Sequence, residues 1–559
     1  MKIKTKYYLL GLIILIALFV RLKAINHGLP DIMYVDAQKT VGVSKRITWN
    51  ILNGKFDIDP KQYQYPTLFL NLLAAEFTVY AVSYALIGNW QGRFKSFSEA
   101  VNALYTPKGS GYLYQAVPSV FYLIARITNA LAGVLTVFFV FLVGAKAFKD
   151  DRIGLCSALF LALMFFHVKD SRYPMTDSMM ALMSAIALYY IACLNHDGGL
   201  KNYLLAGTFI GLGVSTKYLP GFLVIPFLVV MGFRWWDEHK TTSDTKKLYG
   251  YPLSGLIMIP ISFIIGTPII LVRFSNYFGR YSKQLAAQSG GKLGFTQSWY
   301  FDYLFSRIPS NYEPLAIDSF WGAMGLSILI LLIFGIIYAL YRGFTNRDKI
   351  QPLDIGFALV IICYYIFLAG PGNKRIIRYF YFLYPLFCIM AARFLVDVFS
   401  RIKFLKGKGW ILLCLSILFV LPTGIRTFRY VYLLSHTNTR IESGQWIEKH
   451  IKPGTRIFAP ILYPPCISST TYKIFYYRGE NMDIVPNIEM LKRAGFEYVI
   501  TSSYDSIVYF YPDSMREQPE LVSGWKKFYL SLDESLSLAK QFENNLIDKP
   551  GPEIKIYKL

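Results

Sequence analysis

Apolar residues follow one another along this chain in runs far longer than the amphipathic stripe of a water-soluble helix. The first is YYLLGLIILIALFV, 7–20, and comparable runs recur at 120–145, 250–272, 320–341, 352–370 and 409–422. Each approaches or exceeds the roughly 20 residues that carry a helix across a hydrocarbon core. The pattern predicts eleven spans, near 7–26, 118–146, 153–167, 178–194, 203–216, 219–233, 250–271, 320–341, 352–370, 379–398 and 409–430. The start of the chain has the basic flank of a signal peptide, but its apolar run is long. No small-residue cleavage site follows, and Arg21 and Lys23 close it in the manner of a retained anchor.

The polar segments between the runs orient them. KAFKDDR, NHDGGLKN, RWWDEHKTTSDTKK, RGFTNRDK, SRIKFLKGKG and the N-terminal KIKTK hold 18 Lys and Arg, against six in the short loops 167–178, 216–218 and 371–378. The basic set belongs in the cytoplasm, so Asp36, just past the first run, is expected outside. One stretch, 65–87, tests this arrangement, because a crossing there would invert everything after it. Glu76 interrupts its middle and Pro66 opens it. It is expected to lie in the interface as an amphipathic helix of the first outer loop.

From 431 onward the pattern changes. GQWIEKHIKPGTRIFA reads as an amphipathic helix, a Pro-Gly turn and a strand, and AGFEYVITSS repeats the strand signal. The chain thus divides into a membrane part, 1–430, and a small extracytoplasmic α/β domain, 431–559. That domain carries no P-loop, dinucleotide fingerprint or nucleophile elbow.

Composition agrees. Of 559 residues 54% are hydrophobic and 17% charged, where a soluble protein has about 25% charged. The net charge of +23 excludes a nucleic-acid groove once it is located: residues 431–559 carry 15 basic and 15 acidic side chains, so the whole excess lies in the membrane part. Six cysteines, almost all in apolar runs, have neither disulfide-framework nor zinc-ligand spacing.

The topology gathers Asp36, Asp170, Arg172, Asp177, Lys217, Lys374, Arg375 and Arg378 at the outer membrane face. Each has an ordinary reading. Asp177 fits a helix N-cap, Lys217 a snorkelling lysine, and Arg378 with Tyr379 and its aromatic neighbours an interfacial belt. Charges at the edge of apolar helices are costly and mark substrate paths. Cations on the outer side, against the orientation rule, call for a bound anion.

The ordered set GLPDIMYVDAQKTV, QYQYPTLFLNLLA, HVKDSRYPMTDSMM, GLGVSTKY, QSGGKLGFTQSWYFDYL, RYFYFLYPLF and TRIESGQWIEKHIKPGTRIF resembles the GT-C glycosyltransferases. The likeness is to their family 39-like branch, related to protein O-mannosyltransferases and to the aminoarabinose transferase of lipid A. The resemblance implies a GT-C fold in a cell membrane, plasma or inner. It also implies a polyprenyl- or dolichyl-phosphate sugar as donor, and a glycan, lipid or protein acceptor. Asp36 stands where the family places its general base. Lys217 and Arg378, with Arg172 and Lys374 behind them and Asp177 and Tyr379 alongside, are the expected substrate-binding residues. The family's loop usually has a second acid where this chain has Ala37, which disfavours a divalent metal and leaves no certain cofactor. A flippase or transporter, or a non-catalytic glycan- or lipid-binding relative, are the competing readings. Against transport, the sequence contains no inverted repeat and no charges near the middle of broken helices.

Overall fold

The computed structural model describes residues 3–31, 36–105, 118–241, 244–288, 300–305, 317, 319–345, 351–370, 376–403, 408–477, 485–510, 519–545 and 547–559. The GGKLGFTQSW stretch with Trp299, and Lys374 with Arg375, lie outside them.

The apolar runs form a helical bundle. α1 (Ile3–Leu22) is followed by α2 (Asp36–Leu52), α3 (Leu68–Trp90) and α4 (Phe97–Tyr105), and then by the long α5 (Ser119–Phe148). α6 (Asp151–Leu163), α7 (Phe165–Asp170), α8 (Thr176–Asp197) and α9 (Leu200–Val214) come next, then α10 (Val224–Thr241), α11 (Tyr251–Gly266) and α12 (Ile270–Gln288). The bundle is completed by α13 (Tyr300–Phe305), α14 (Phe320–Met324), α15 (Leu326–Thr345), α16 (Pro352–Ala369), α17 (Tyr384–Arg401) and α18 (Gly409–Leu433). Ten helical segments among the described residues have the length and apolarity to cross a membrane.

That set differs from the eleven expected spans in both directions. α6 and α9 have only 13 and 15 residues, yet each packs lengthwise on a helix long enough to cross. Lys6 meets Asp151 at one end of α6, 3.0 Å apart, and the Arg21 guanidinium reaches the Ala162 carbonyl at the other, 3.1 Å. α1 and α6 therefore cover the same depth. α9 packs parallel to α11 through Gly207 and Gly211, where an added Cβ would collide with the carbonyls of Gly255 and Ile259. Small residues four apart let two apolar helices approach closely where burial supplies no driving force.

α3 is the segment at 65–87, and it is long and apolar enough to cross. Its contacts point elsewhere. Leu68 N–H bonds the Ser215 carbonyl just past α9, and Thr67 Oγ1 donates to Gly266 O at the end of α11. Eight residues on, Glu76 accepts from Thr128, and Phe77 stacks on Phe121 near the start of α5. A helix that touches the same end of three bundle helices within ten residues runs over that end and not through the bundle. Leu72, Val79, Leu86 and Trp90 are left exposed along one side of it.

α18 leads into a five-stranded sheet in the order β2-β1-β3-β5-β4, with β1 Arg456–Pro460, β2 Lys473–Tyr477, β3 Tyr498–Ser502, β4 Ser537–Phe542 and β5 Ile554–Lys558. β1 pairs in parallel with β2 and β3, and β5 runs antiparallel to β3 and β4. Strand alternation splits the core over two faces. Ile457, Ile500 and Ile556 meet Ile447 of α19 (Thr439–His450), while Phe458, Val499 and Tyr557 meet the Trp525 and Phe528 rings beyond them. At the junction with the bundle, the His27 imidazole donates Nδ1–H to the Leu434 carbonyl at 2.7 Å.

Candidate active site

α2 is pinned to α3 by hydroxyls that reach across: Ser44 Oγ donates to Leu70 O and Thr48 Oγ1 to Ala74 O, both at 3.0 Å. That register fixes the first turn of α2, where Asp36 sits at a helix N-terminus, a favourable place for a carboxylate. Asp36 is 37% exposed, with Lys39 Nζ at 3.3 Å and an Arg378 guanidinium nitrogen at 3.7 Å. Ala37 faces the other way. It is 2% exposed and belongs to the apolar cluster of Phe69, Leu73 and Phe77. An acid at 37 would be buried there rather than beside Asp36, so local packing accounts for the alanine. No three His, Cys, Asp or Glu side chains come together to hold a metal among the described residues.

Arg378 and Tyr379 are delivered by the 3-10 turn Ile377–Leu383, whose Phe380, Tyr381, Phe382 and Leu383 are fully buried. Tyr364 donates to the Tyr379 carbonyl at 3.0 Å, and Phe380 lies edge-on to the Tyr364 and Phe320 rings. The aromatic run is thus the anchor that holds Arg378 over Asp36. Between the two elements is a cleft open to solvent. Asp36, Lys39, Arg378 and Tyr379 line it with Tyr65, Gln62 and Gln64; Thr40 and Thr176 add hydroxyls, and Val43, Leu70 and Met175 an apolar side.

Asp177 and Lys217 meet immediately behind this cleft. Lys217 Nζ donates to Asp177 Oδ1 at 2.8 Å, with both side chains buried, and lies 5.3 Å from the ring centres of both Tyr65 and Tyr379. The pair supports the two tyrosines that face the cleft, a cation held between aromatic rings. Burial pushes the Tyr65 hydroxyl up to about 12, with Arg378 opposing the rise, so the phenol stays protonated.

Arg172 is placed elsewhere. Its guanidinium donates to the carbonyls of Val20, Arg21, Lys23 and Ala24. It satisfies the orphan acceptors at the end of α1 and does not reach the cleft. Asp170 pairs with Lys169 at 3.3 Å. His167 takes Arg21 at 2.7 Å and stacks on Tyr381. Tyr303 is a core residue whose hydroxyl accepts the Ile376 N–H. Sequence reasoning missed Lys39, Gln62, Gln64 and Tyr65 as cleft residues. The first had a usable signal, since three residues after Asp36 on a helix is the same face.

A family comparison bears on the middle of the chain. Residues 98–278 match the family of dolichyl-phosphate-mannose-protein mannosyltransferases. The match covers about a third of the chain, from α4 into α12, and includes Asp177 and Lys217 but neither Asp36 nor Arg378. No protein of curated function matches.

Among solved structures, the chain is similar to the archaeal oligosaccharyltransferase AglB from Archaeoglobus fulgidus, solved with an inhibitory peptide and a dolichol-phosphate. The identity is 13% over 92% of this chain and 72% of that one, with a TM-score of 0.48. It is similar to ArnT from Cupriavidus metallidurans bound to undecaprenyl phosphate at 12% identity, over 98% and 97% of the two chains, with a TM-score of 0.47. It also resembles the S. cerevisiae protein O-mannosyltransferase Pmt1-Pmt2 complex bound to the sugar donor, at 20% identity over 51% and 34%, with a TM-score of 0.33. With all three scores below 0.5, the chemistry assigned to the cleft stands on this chain's own residues.

Proposed function

We propose that the chain is a membrane glycosyltransferase of the GT-C kind. It would take a sugar from a polyprenyl-phosphate carrier and pass it to an acceptor hydroxyl on the side of the membrane that Asp36 faces, the extracytoplasmic side. The observation that carries this reading is the meeting of Asp36, Arg378 and Lys39 in one open cleft at a single end of a membrane bundle.

Asp36 takes the acceptor proton as the hydroxyl oxygen attacks the anomeric carbon. The bond from that carbon to the phosphate oxygen breaks, and the electron pair leaves with the lipid phosphate. Attack from the face opposite the phosphate inverts the anomeric centre. General-base assistance of this kind is worth about 10²–10⁴-fold. The leaving phosphate needs stabilising cations more than a general acid; Arg378 and Lys39 stand within 4 Å of Asp36 to supply them. Lys217, paired with Asp177 behind Tyr65 and Tyr379, acts as a positioning residue for the cleft wall. Lys374, four residues before Arg378, is retained as a further cation for the phosphate.

The test is transfer by purified protein in nanodiscs, supplied with polyprenyl-phosphate sugar and an extract of membrane acceptors. Asp36→Asn is expected to fold, to insert and to lose transfer. Undiminished transfer by that variant removes Asp36 as the base, and no transfer by the unaltered chain from any lipid-linked sugar removes the reading.

A further inference from the structure

One face of the sheet domain carries a second cleft, which the transferase reading does not use. By strand alternation Val499 and Thr501 of β3 share a face with Tyr557 and Lys555 of β5, their partners in register. Over Val499 and Tyr557 that face is closed by Trp525 and Phe528 of the helix Pro519–Ser535. Toward Thr501 and Lys555 it turns polar, and the helix brings Asp533 there, one turn beyond the buried Tyr529. The segment 503–510 adds Ser503, Ser506 and Phe510 to the lining.

The polar groups of this cleft hold one another in place. Asp533 Oδ1 accepts from the Tyr557 hydroxyl at 2.7 Å and from Lys555 Nζ at 2.9 Å. Burial raises the Asp533 carboxyl, but these bonds outweigh it and hold the group below its ordinary range, so it is ionised. Glu553 Oε1 accepts from the Gln541 amide at 2.7 Å, and Ser503 Oγ accepts the Glu553 N–H at 2.9 Å. Tyr529 is fixed by donating to the buried Asp505 at 3.0 Å. Glu553 Oε2 and the Ser506 hydroxyl have no partner among the described residues. Phe510, with Lys526 Nζ 5.7 Å above one face of its ring, is 43% exposed.

We propose that this cleft binds a saccharide, with Glu553 and Ser506 meeting ring hydroxyls and Phe510 the apolar face of the ring. Sugar hydroxyls donate and accept at once, and fixed carboxylates beside free hydroxyls meet both demands. An exposed aromatic ring next to them covers the C–H face of the sugar. A divalent cation is opposed by the Lys555 ammonium, 2.9 Å from Asp533, and a phosphate by the carboxylates themselves. An extended peptide finds no free strand edge, because β3 and β5 are each paired on both sides.

The test is a saturation-transfer NMR titration of the full chain in nanodiscs with two probes, a neutral hexose tetrasaccharide and an N-acetylhexosamine tetrasaccharide. At least one is expected to bind with a Kd of about 1 mM, the strength of an open cleft with few hydrogen bonds. Glu553→Gln and Phe510→Ala are each expected to weaken that binding about fivefold, with an unchanged unfolding midpoint. Phe475→Ala removes a similarly exposed ring from the edge strand β2, and it is expected to leave binding as it was, as is Asp36→Asn. Binding that Asp36→Asn weakens and Glu553→Gln does not would put the saccharide in the bundle cleft and overturn the inference. Failure of both tetrasaccharides to bind, or binding indifferent to Glu553 and Phe510, overturns it as well. None of these outcomes touches the transferase reading, which stands or falls on transfer.

Discussion

At the end of the bundle that holds Lys6, acids and cations meet as tight pairs that stitch neighbouring helices. Lys6 reaches Asp151, Lys146 reaches Asp197, and Arg393 with Arg342 shares Asp397, all within 3.3 Å. Most of these side chains are partly exposed; Lys6–Asp151, Lys146–Asp197 and Arg342–Asp397 each tie two helices together, and Arg393 pairs with Asp397 along one helix. At the opposite end the same residue types are arranged around space. Asp36 faces two cations from different elements across an open cleft, while the closed pairs Lys217 with Asp177 and Lys169 with Asp170 are buried. Ion pairs that only join helices need no cavity. An ion pair beside open space is accessible to a ligand.

The largest expected effect separates the two ends by activity. Asp36→Asn should lower transfer by about 10²–10⁴-fold with unchanged thermal unfolding, while Asp151→Asn at the other end should leave transfer where it was. Next comes stability. Lys217→Ala leaves Asp177 buried without its cation, and losing one partner of a buried pair costs about 3–5 kcal/mol. Lys146→Ala breaks a pair that is 33% and 53% exposed and should cost at most about 1 kcal/mol. Lys217→Met combined with Asp177→Asn removes both charges and should recover most of the loss, read as the unfolding midpoint in nanodiscs. A double variant no more stable than Lys217→Ala alone would mean that Lys217 works through packing and not through its charge.

Much of this division was legible in the residues. Long apolar runs dictate spans because unpaired backbone groups cannot stay in hydrocarbon, so the bundle, its order and the change of material after α18 follow from pattern alone. Asp36, Arg378 and Tyr379 were legible as charges and aromatics at membrane entrances. Arg172 was not. Its partners are the carbonyls of Val20 to Ala24, some 150 residues earlier, and nothing local to HVKDSRYP distinguishes capping α1 from binding a phosphate. The pairing of Lys217 with Asp177 is equally a product of helix packing. α3 could be read either way because length and hydropathy describe composition, and only its contacts with the ends of α5, α9 and α11 say where it runs.

A pH dependence is expected at the junction between bundle and sheet domain. Burial, reinforced by the neighbouring Arg126, holds the His27 imidazole down at about 4, against the pull of its hydrogen bond to Leu434. The unfolded chain takes up this proton near 6.5, so between the two values the unfolded state binds more protons. Stability from this site is complete above about 6.5 and is lost as pH falls toward 4. The loss amounts to at most about 3 kcal/mol, since part of the ring still meets solvent. His27→Gln keeps an N–H for Leu434 and should flatten the difference between unfolding midpoints at pH 7.5 and pH 5. A variant that keeps the full difference would place the titration elsewhere.

The smallest effect on the fold is expected at Lys39, and it sharpens the comparison most. Its side chain is 61% exposed and pairs with Asp36 across one helical turn, a geometry worth only tenths of a kcal/mol. Lys39→Gln should therefore leave the unfolding midpoint unchanged, as Lys146→Gln should at the far end. The two lysines part company over the lipid phosphate. Loss of Lys39 removes one of the two cations that line the cleft among the described residues, so polyprenyl phosphate should bind several-fold more weakly and with less sensitivity to salt. Lys146→Gln should change neither. Equal phosphate affinity in both variants would return Lys39 to the class of surface lysines and take it out of the donor site.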